Sequence, residues 1–155
     1  MGIKMIKISV CDDDEGQLTF FKQCFMEYNE KHKEKIEANF YQSVQSLLNE
    51  KKFSPDVYFL DIELQDGNGL KLAGKIRTRN SKIPIVFITS HEEFMPEAFH
   101  VHAYQYLNEK KNAQAVENVL NQLADYFSEQ NQIFSFQTYG EMISLDCRDI
   151  ICFTS

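Results

Sequence analysis

Val57-Tyr58-Phe59-Leu60-Asp61 is an apolar run closed by a carboxylate, and the turn-forming Gln65-Asp66-Gly67-Asn68-Gly69 follows it. An apolar run this short, bounded by a turn signal, reads as a strand buried on both faces. Similar segments lie on either side. Residues 6–11 (IKISVC) and 85–89 (IVFIT) are strand-like, the second nearly unbroken in its apolarity. Residues 36–41 (IEANFY) and 103–107 (AYQYL) mix in polar positions and read as edge strands. Between these segments apolar residues recur at helical spacing. Leu18, Phe21, Phe25 and Tyr28 form one stripe, and Val44, Leu47 and Leu48 a shorter one. Leu70, Ala73 and Ile76 form a third, and Val116, Leu120, Leu123 and Phe127 a fourth, within a helix expected over 112–128. Residues 92–99 make a weaker helical stretch with Pro96 inside it, so a short or irregular helix is expected there.

Strand and helix therefore alternate five times up to about residue 130. That order predicts an α/β fold: a doubly wound five-stranded parallel sheet with helices on both faces. In such sheets ligands bind at the carboxyl ends of the strands. Residues 131–155 break the alternation. Residues 133–138 (IFSFQT), 142–145 and 150–153 (IICF) each look like a short strand, with a turn signal at Tyr139-Gly140. The expected division is thus a domain over 1–130 and a short β segment over 131–155.

Composition sets the bounds. The 155 residues carry 16 Lys+Arg against 23 Asp+Glu, a formal charge of −7. An acidic chain is a poor DNA binder by itself, because phosphate contacts need surplus cations. The apolar share of 43% supports a packed core and argues against disorder. No apolar run approaches the roughly 20 residues of a membrane span, and the N-terminus has no secretory pattern. Cys11, Cys24, Cys147 and Cys152 form no CxxC pair and no zinc spacing. They read as free thiols of a cytoplasmic protein, with two disulfides as the other reading.

Chemistry is expected where acids meet strand ends. The first strand runs into Asp12, Asp13, Asp14 and Glu15, and the third ends at Asp61. Carboxylates converging in one pocket repel each other, and a divalent cation relieves the repulsion. Hard oxygen ligands suit Mg²⁺. A carboxylate beside such a cation can take a phosphoryl group as a nucleophile. The competing structural readings are an acidic N-cap for residues 12–15 and a plain loop carboxylate for Asp61. Thr89-Ser90 ends the fourth strand. Its hydroxyl suits a phosphoryl oxygen, and equally suits the cap of the next helix.

Together these residues resemble the receiver domain of two-component response regulators, a flavodoxin-like fold, over about residues 4–130. The resemblance rests on Cys11-Asp12-Asp13, Leu60-Asp61-Ile62-Glu63, Asn68-Gly69-Leu70, Ile88-Thr89-Ser90 and Ala103-Tyr104-Gln105-Tyr106-Leu107. It implies that Asp61 accepts a phosphoryl group from a sensor histidine kinase. It implies a Mg²⁺ site made of Asp12, Asp13, Asp61 and the backbone carbonyl of Glu63. Thr89 would read the phosphoryl group and Tyr106 would be the aromatic switch; the competing reading of Tyr106 is a packed aromatic with its hydroxyl in water. Two positions depart from the pattern. Glu109 stands where the family has lysine, which leaves two readings: Lys110 reaches the site through a one-residue shift of the loop, or phosphorylation is weakened or changed. Gln65 stands where many members have proline, with an expected effect on loop rigidity and none on chemistry.

The segment 142–153, especially Arg148-Asp149-Ile150-Ile151-Cys152-Phe153, resembles the opening of a LytTR-type DNA-binding domain. Residues 131–155 are accordingly expected to be the truncated start of such a domain, with an extra β-hairpin as the other reading. The resemblance implies a transcriptional regulator whose DNA contacts lie in its output domain. It also implies a homodimer through the fourth helix, fifth strand and fifth helix. His100 and His102 lie near that face and read as exposed residues without a special role. Lys75, Arg77, Arg79 and Lys82 read as a solvated helix end. The chain is expected not to be an enzyme. Two alternatives stand beside this reading: an aspartyl-intermediate phosphohydrolase, and an interaction module that works without phosphorylation because of Glu109. A dinucleotide fold is disfavoured, because acids and no Gly-rich turn follow the first strand.

Overall fold

The computed structural model describes residues 5–108 and 112–142, with side chains up to residue 130. Contacts divide the chain into a unit of residues 1–117 and a unit of residues 118–155. The first unit holds the whole sheet. Its elements run β1 (Met5–Cys11), α1 (Glu15–Lys31), β2 (Lys35–Tyr41), α2 (Val44–Leu48), β3 (Val57–Asp61), β4 (Glu63–Leu64), β5 (Gly67–Asn68) and α3 (Gly69–Arg79). Then come β6 (Ile85–Thr89), a 3₁₀ turn (Glu92–Phe94), α4 (Met95–His100), β7 (Gln105–Asn108) and α5 (Ala113–Met142).

Five strands form one sheet in the order β2-β1-β3-β6-β7, and every pairing in it is parallel. The predicted edge strands are the edges. All five residues of β6 are buried, whereas the edge strands β2 and β7 keep partly open positions. The reversal of strand order between β1 and β3 opens a crevice at their carboxyl ends, where such sheets hold ligands. Residues 63–68 add a two-stranded antiparallel hairpin, β4–β5, which the turn-rich sequence did not announce as strands.

Alternation along β3 drives the two-sided packing. Phe59 meets Phe21 and Phe25 of α1 edge to face, at centroid distances of 5.7 and 5.8 Å. Leu60 turns to the other face, in a cluster with Leu72, Ala73 and Ile76 of α3 and Leu47 of α2. Each fully buried side chain of this size contributes roughly 1.5–3 kcal/mol. The α1 stripe is buried as predicted, with Asp14 as its N-cap accepting from Gly16 N (2.8 Å). Pro96 sits in the first turn of the six-residue α4, where a missing N–H costs nothing, so the helix is short and is preceded by the 3₁₀ turn.

Two expectations need correction. The helix expected over 112–128 runs to Met142, so the strand-like 133–138 is helical. Six alternating residues without β-specific partners are weak evidence. No proline interrupts the segment, and an established helix extends at little cost, even through Gly140. The rest of the predicted β segment, 143–145 and 150–153, lies outside the described residues. Arg77, read as part of a solvated helix end, is a bracket. Its guanidinium donates to the carbonyls of Val101 (2.8 Å), Ile83 (2.6 Å) and His102 (2.9 Å). It thereby ties the end of α3 to the turns before β6 and β7.

Candidate functional site

Strand register brings the predicted acids together. Cys11 pairs with Leu60 across β1 and β3, so Asp12 and Asp61 come next on neighbouring strands. Asp12, Asp13 and Asp61 each offer a carboxylate oxygen, and these oxygens lie within 4.8 Å of one another. Asp12 is fully buried and Asp61 is 4% exposed, while Asp13 is partly open. Three hard anionic oxygens at a pocket mouth are a donor set that suits a small divalent cation. Within the acidic run after β1, Asp14 is the N-cap of α1, while Asp12 and Asp13 bring carboxylate oxygens toward Asp61.

Main-chain amides fix the carboxylates. Asp12 Oδ1 accepts from Asp14 N (2.9 Å) and Asp61 Oδ1 from Glu63 N (3.2 Å). Asp13 Oδ2 accepts from Gln65 N (3.0 Å), across the pocket mouth. The expectation that Gln65 bears only on loop rigidity is therefore corrected. A proline has no N–H to donate, and here that N–H holds a candidate metal ligand. Behind the site, burial pushes the Cys11 thiol up to about 12, and the charges of Asp66, Asp12, Asp61 and Asp13 add to the effect. Cys11 is thus held as a neutral thiol, with its Sγ directed at the carbonyl of Ser43 (3.4 Å).

The loop after Asp61 is shaped by close approach. A Cβ on Gly69 would stand 2.1 Å from the Asp61 carbonyl oxygen, so only glycine lets α3 begin there. Gly69 N donates to the Ile62 carbonyl (2.8 Å), and Asn68 caps α3. Asp66 accepts from Val44 N (2.9 Å) and Gln45 N (3.1 Å), and these amides hold its carboxyl below the usual range. Sequence reading treated Gly69 and Asp66 as turn formers; their long-range partners could not be seen in a linear pattern.

Thr89 is buried, and register sets it one residue beyond Ile88, the partner of Asp61. Its Oγ1 accepts from His91 N (3.1 Å), a local turn contact, while the residue capping the 3₁₀ turn is His91. Tyr106 is partly buried, and its hydroxyl donates to the His91 carbonyl. The ring packs against the core, as the competing reading has it, and the hydroxyl has a protein partner. Burial raises the Tyr106 hydroxyl's pKa, with Glu92 and Glu93 adding. Sequence reasoning missed His91. Its Nε2 lies 3.0 Å from Glu63 Oε1 and its Nδ1 3.5 Å from Glu93 Oε2, so it joins the loops after β3 and β6. Its place two residues after Thr89 was the only available signal. Glu109 and Lys110 lie outside the described residues.

Comparison with known proteins agrees with this geometry. The family model of the response regulator receiver domain matches residues 8–121. An uncharacterized response regulatory protein of Yersinia pestis is 29% identical over 120 residues, which cover 77% of this chain and 49% of that protein. The sensory transduction protein LytR of Staphylococcus haemolyticus is 32% identical over 111 residues, covering 72% of this chain and 42% of that protein. The chain thus matches less than half the length of these relatives. Among solved structures, the non-phosphorylated HemR receiver domain from Leptospira biflexa superposes with a TM-score of 0.65 at 20% identity. That match covers 76% of this chain and 92% of the other, and supports the flavodoxin-like fold. Fold, strand-end acids and family match converge on one assignment: the chain belongs to the response regulator receiver domain family.

Proposed function

We propose that this receiver accepts a phosphoryl group on Asp61 from the phosphohistidine of a sensor kinase and passes the signal to an output domain. The observation that carries the proposal is the meeting of the Asp12, Asp13 and Asp61 oxygens within 4.8 Å at the carboxyl ends of β1 and β3. In this reading Asp12, Asp13, Asp61 and the Glu63 carbonyl hold Mg²⁺, which when bound offsets negative charge on the transferring oxygens. Asp61 supplies the attacking oxygen. The phosphorus–nitrogen bond of the donor breaks as the phosphorus–oxygen bond forms, and the imidazole leaves with the electron pair. Thr89 uses its oxygen as an acceptor from His91 N, which leaves its hydroxyl proton to donate to the phosphoryl group. Lys110 is the cation proposed to contact the phosphoryl group.

The output follows from what Thr89 and Tyr106 share. Both contact His91, through its N–H and its carbonyl respectively, so a shift of the loop after β6 reaches both. Tyr106 is the proposed switch, and the change is a shift between two packings. The face of α4 and β7 is the proposed homodimer surface. It carries Phe99 at 75% exposure beside a hollow of about 180 Å³ lined by Met95, Ala98 and Tyr104. A LytTR-type output, with DNA contacts in that domain, is supported by the sequence of 142–153 and by the LytR relative. The protein is proposed to be a cytoplasmic phosphoacceptor and not an enzyme; Cys11 and Cys24 are free thiols, and among the described residues no helix is long and apolar enough to cross a membrane.

The test is intact mass after incubation with Mg²⁺ and acetyl phosphate. One phosphate per chain is expected, absent in Asp61→Asn and absent with a chelator. No adduct in a folded chain that binds Mg²⁺ overturns the proposal. Steady release of phosphate from a phosphomonoester would instead favour a phosphohydrolase.

A further inference from the structure

We infer that the main-chain N–H of Gln65 is a positioning group for the divalent cation: its bond to Asp13 Oδ2 sets the affinity of the site. The inference rests on the proposed function, in which Asp12, Asp13 and Asp61 hold Mg²⁺. The three carboxylates are not held alike. Asp12 and Asp61 are walled in by the sheet, and each accepts an N–H from two residues along its own loop, at 2.9 and 3.2 Å. Asp13 is partly open, so it has fewer neighbours than the two buried carboxylates to orient it. Its donor comes from another segment altogether, the loop after Asp61, at 3.0 Å. Oδ2 is the oxygen that takes this bond, and the same carboxylate offers an oxygen to the cluster with Asp12 and Asp61. Outer contacts of this kind orient a ligand before the metal arrives.

The donor is itself fixed. Gln65 lies in the two-residue turn between β4 and β5. The next residue, Asp66, is held by Val44 N and Gln45 N at 2.9 and 3.1 Å. The amide therefore projects from a stapled loop, as a preorganised site requires. Because one bond links Asp13 to the loop that follows the phosphoacceptor, cation binding and the order of that loop are coupled, and the coupling acts in both directions.

The test titrates Mg²⁺ into the isotopically labelled chain and follows amide chemical shifts in wild type, Gln65→Ala and Gln65→Pro. Alanine keeps the N–H and proline removes it. Gln65→Ala is expected to bind Mg²⁺ within about twofold of wild type, and Gln65→Pro about tenfold more weakly or worse. A folded Gln65→Pro with wild-type affinity overturns the inference, and so does a Gln65→Ala as weak as Gln65→Pro. Should the proline variant fail to fold, hydrogen exchange of the Gln65 amide in wild type decides. Protection that increases with Mg²⁺ supports the inference, and fast exchange indifferent to Mg²⁺ overturns it. A wild-type chain that binds no Mg²⁺ defeats the proposed function itself, an outcome distinct from all of these.

Discussion

Gly69 shows how narrowly the site is built. A methyl group there would stand 2.1 Å from the Asp61 carbonyl oxygen, and that atom is backbone, so the strand end must move to admit it. Gly69→Ala is expected to lower stability by about 1–3 kcal/mol, as overpacking does. It should also slow phosphoryl acceptance about tenfold or more, because Asp61 itself is displaced. Thermal melting and the rate of adduct formation measure the two effects. An unchanged melting temperature would contradict the close approach. The sequence showed which acids meet: Asp12, Asp13 and Asp61 were readable because strand ends and acids coincide. It did not show what holds them, because Gln65 N and Asp13 are 52 positions apart and an amide leaves no mark on residue type. Gln65 itself read as a matter of loop rigidity alone for that reason.

At the scale of elements, the end of α4 is a six-residue helix closed by an unusual residue. Ala103 N bonds the Ala98 carbonyl (3.1 Å) and His102 N that of Phe99 (2.9 Å), a Schellman closure with His102 at φ 57°. Glycine occupies that conformation without the Cβ penalty. His102→Gly is expected to stabilise the protein by about 1 kcal/mol, raising the melting temperature; a fall would contradict it. The Arg77 bonds to the Val101 and His102 carbonyls are to backbone atoms and survive the change. Apolar spacing located α1 and α3, each of which buries a stripe. It failed where a pattern had only six residues to act on, at 133–138, and there the helix prevailed.

For the whole molecule, the edge places of β2 and β7 in the order β2-β1-β3-β6-β7 follow from their being apolar only in part, while β6 is buried throughout. That order makes β1 and β3 neighbours at the crevice, and the position of the phosphoacceptor is a consequence of it. The central claim is that the fold singles out Asp61 among the acids gathered there. Tandem mass spectrometry of an acid-quenched digest, after reaction with acetyl phosphate and Mg²⁺, tests it most directly. The phosphoryl group is expected on Asp61. Phosphate found on Asp12, Asp13 or Asp66 instead would contradict it.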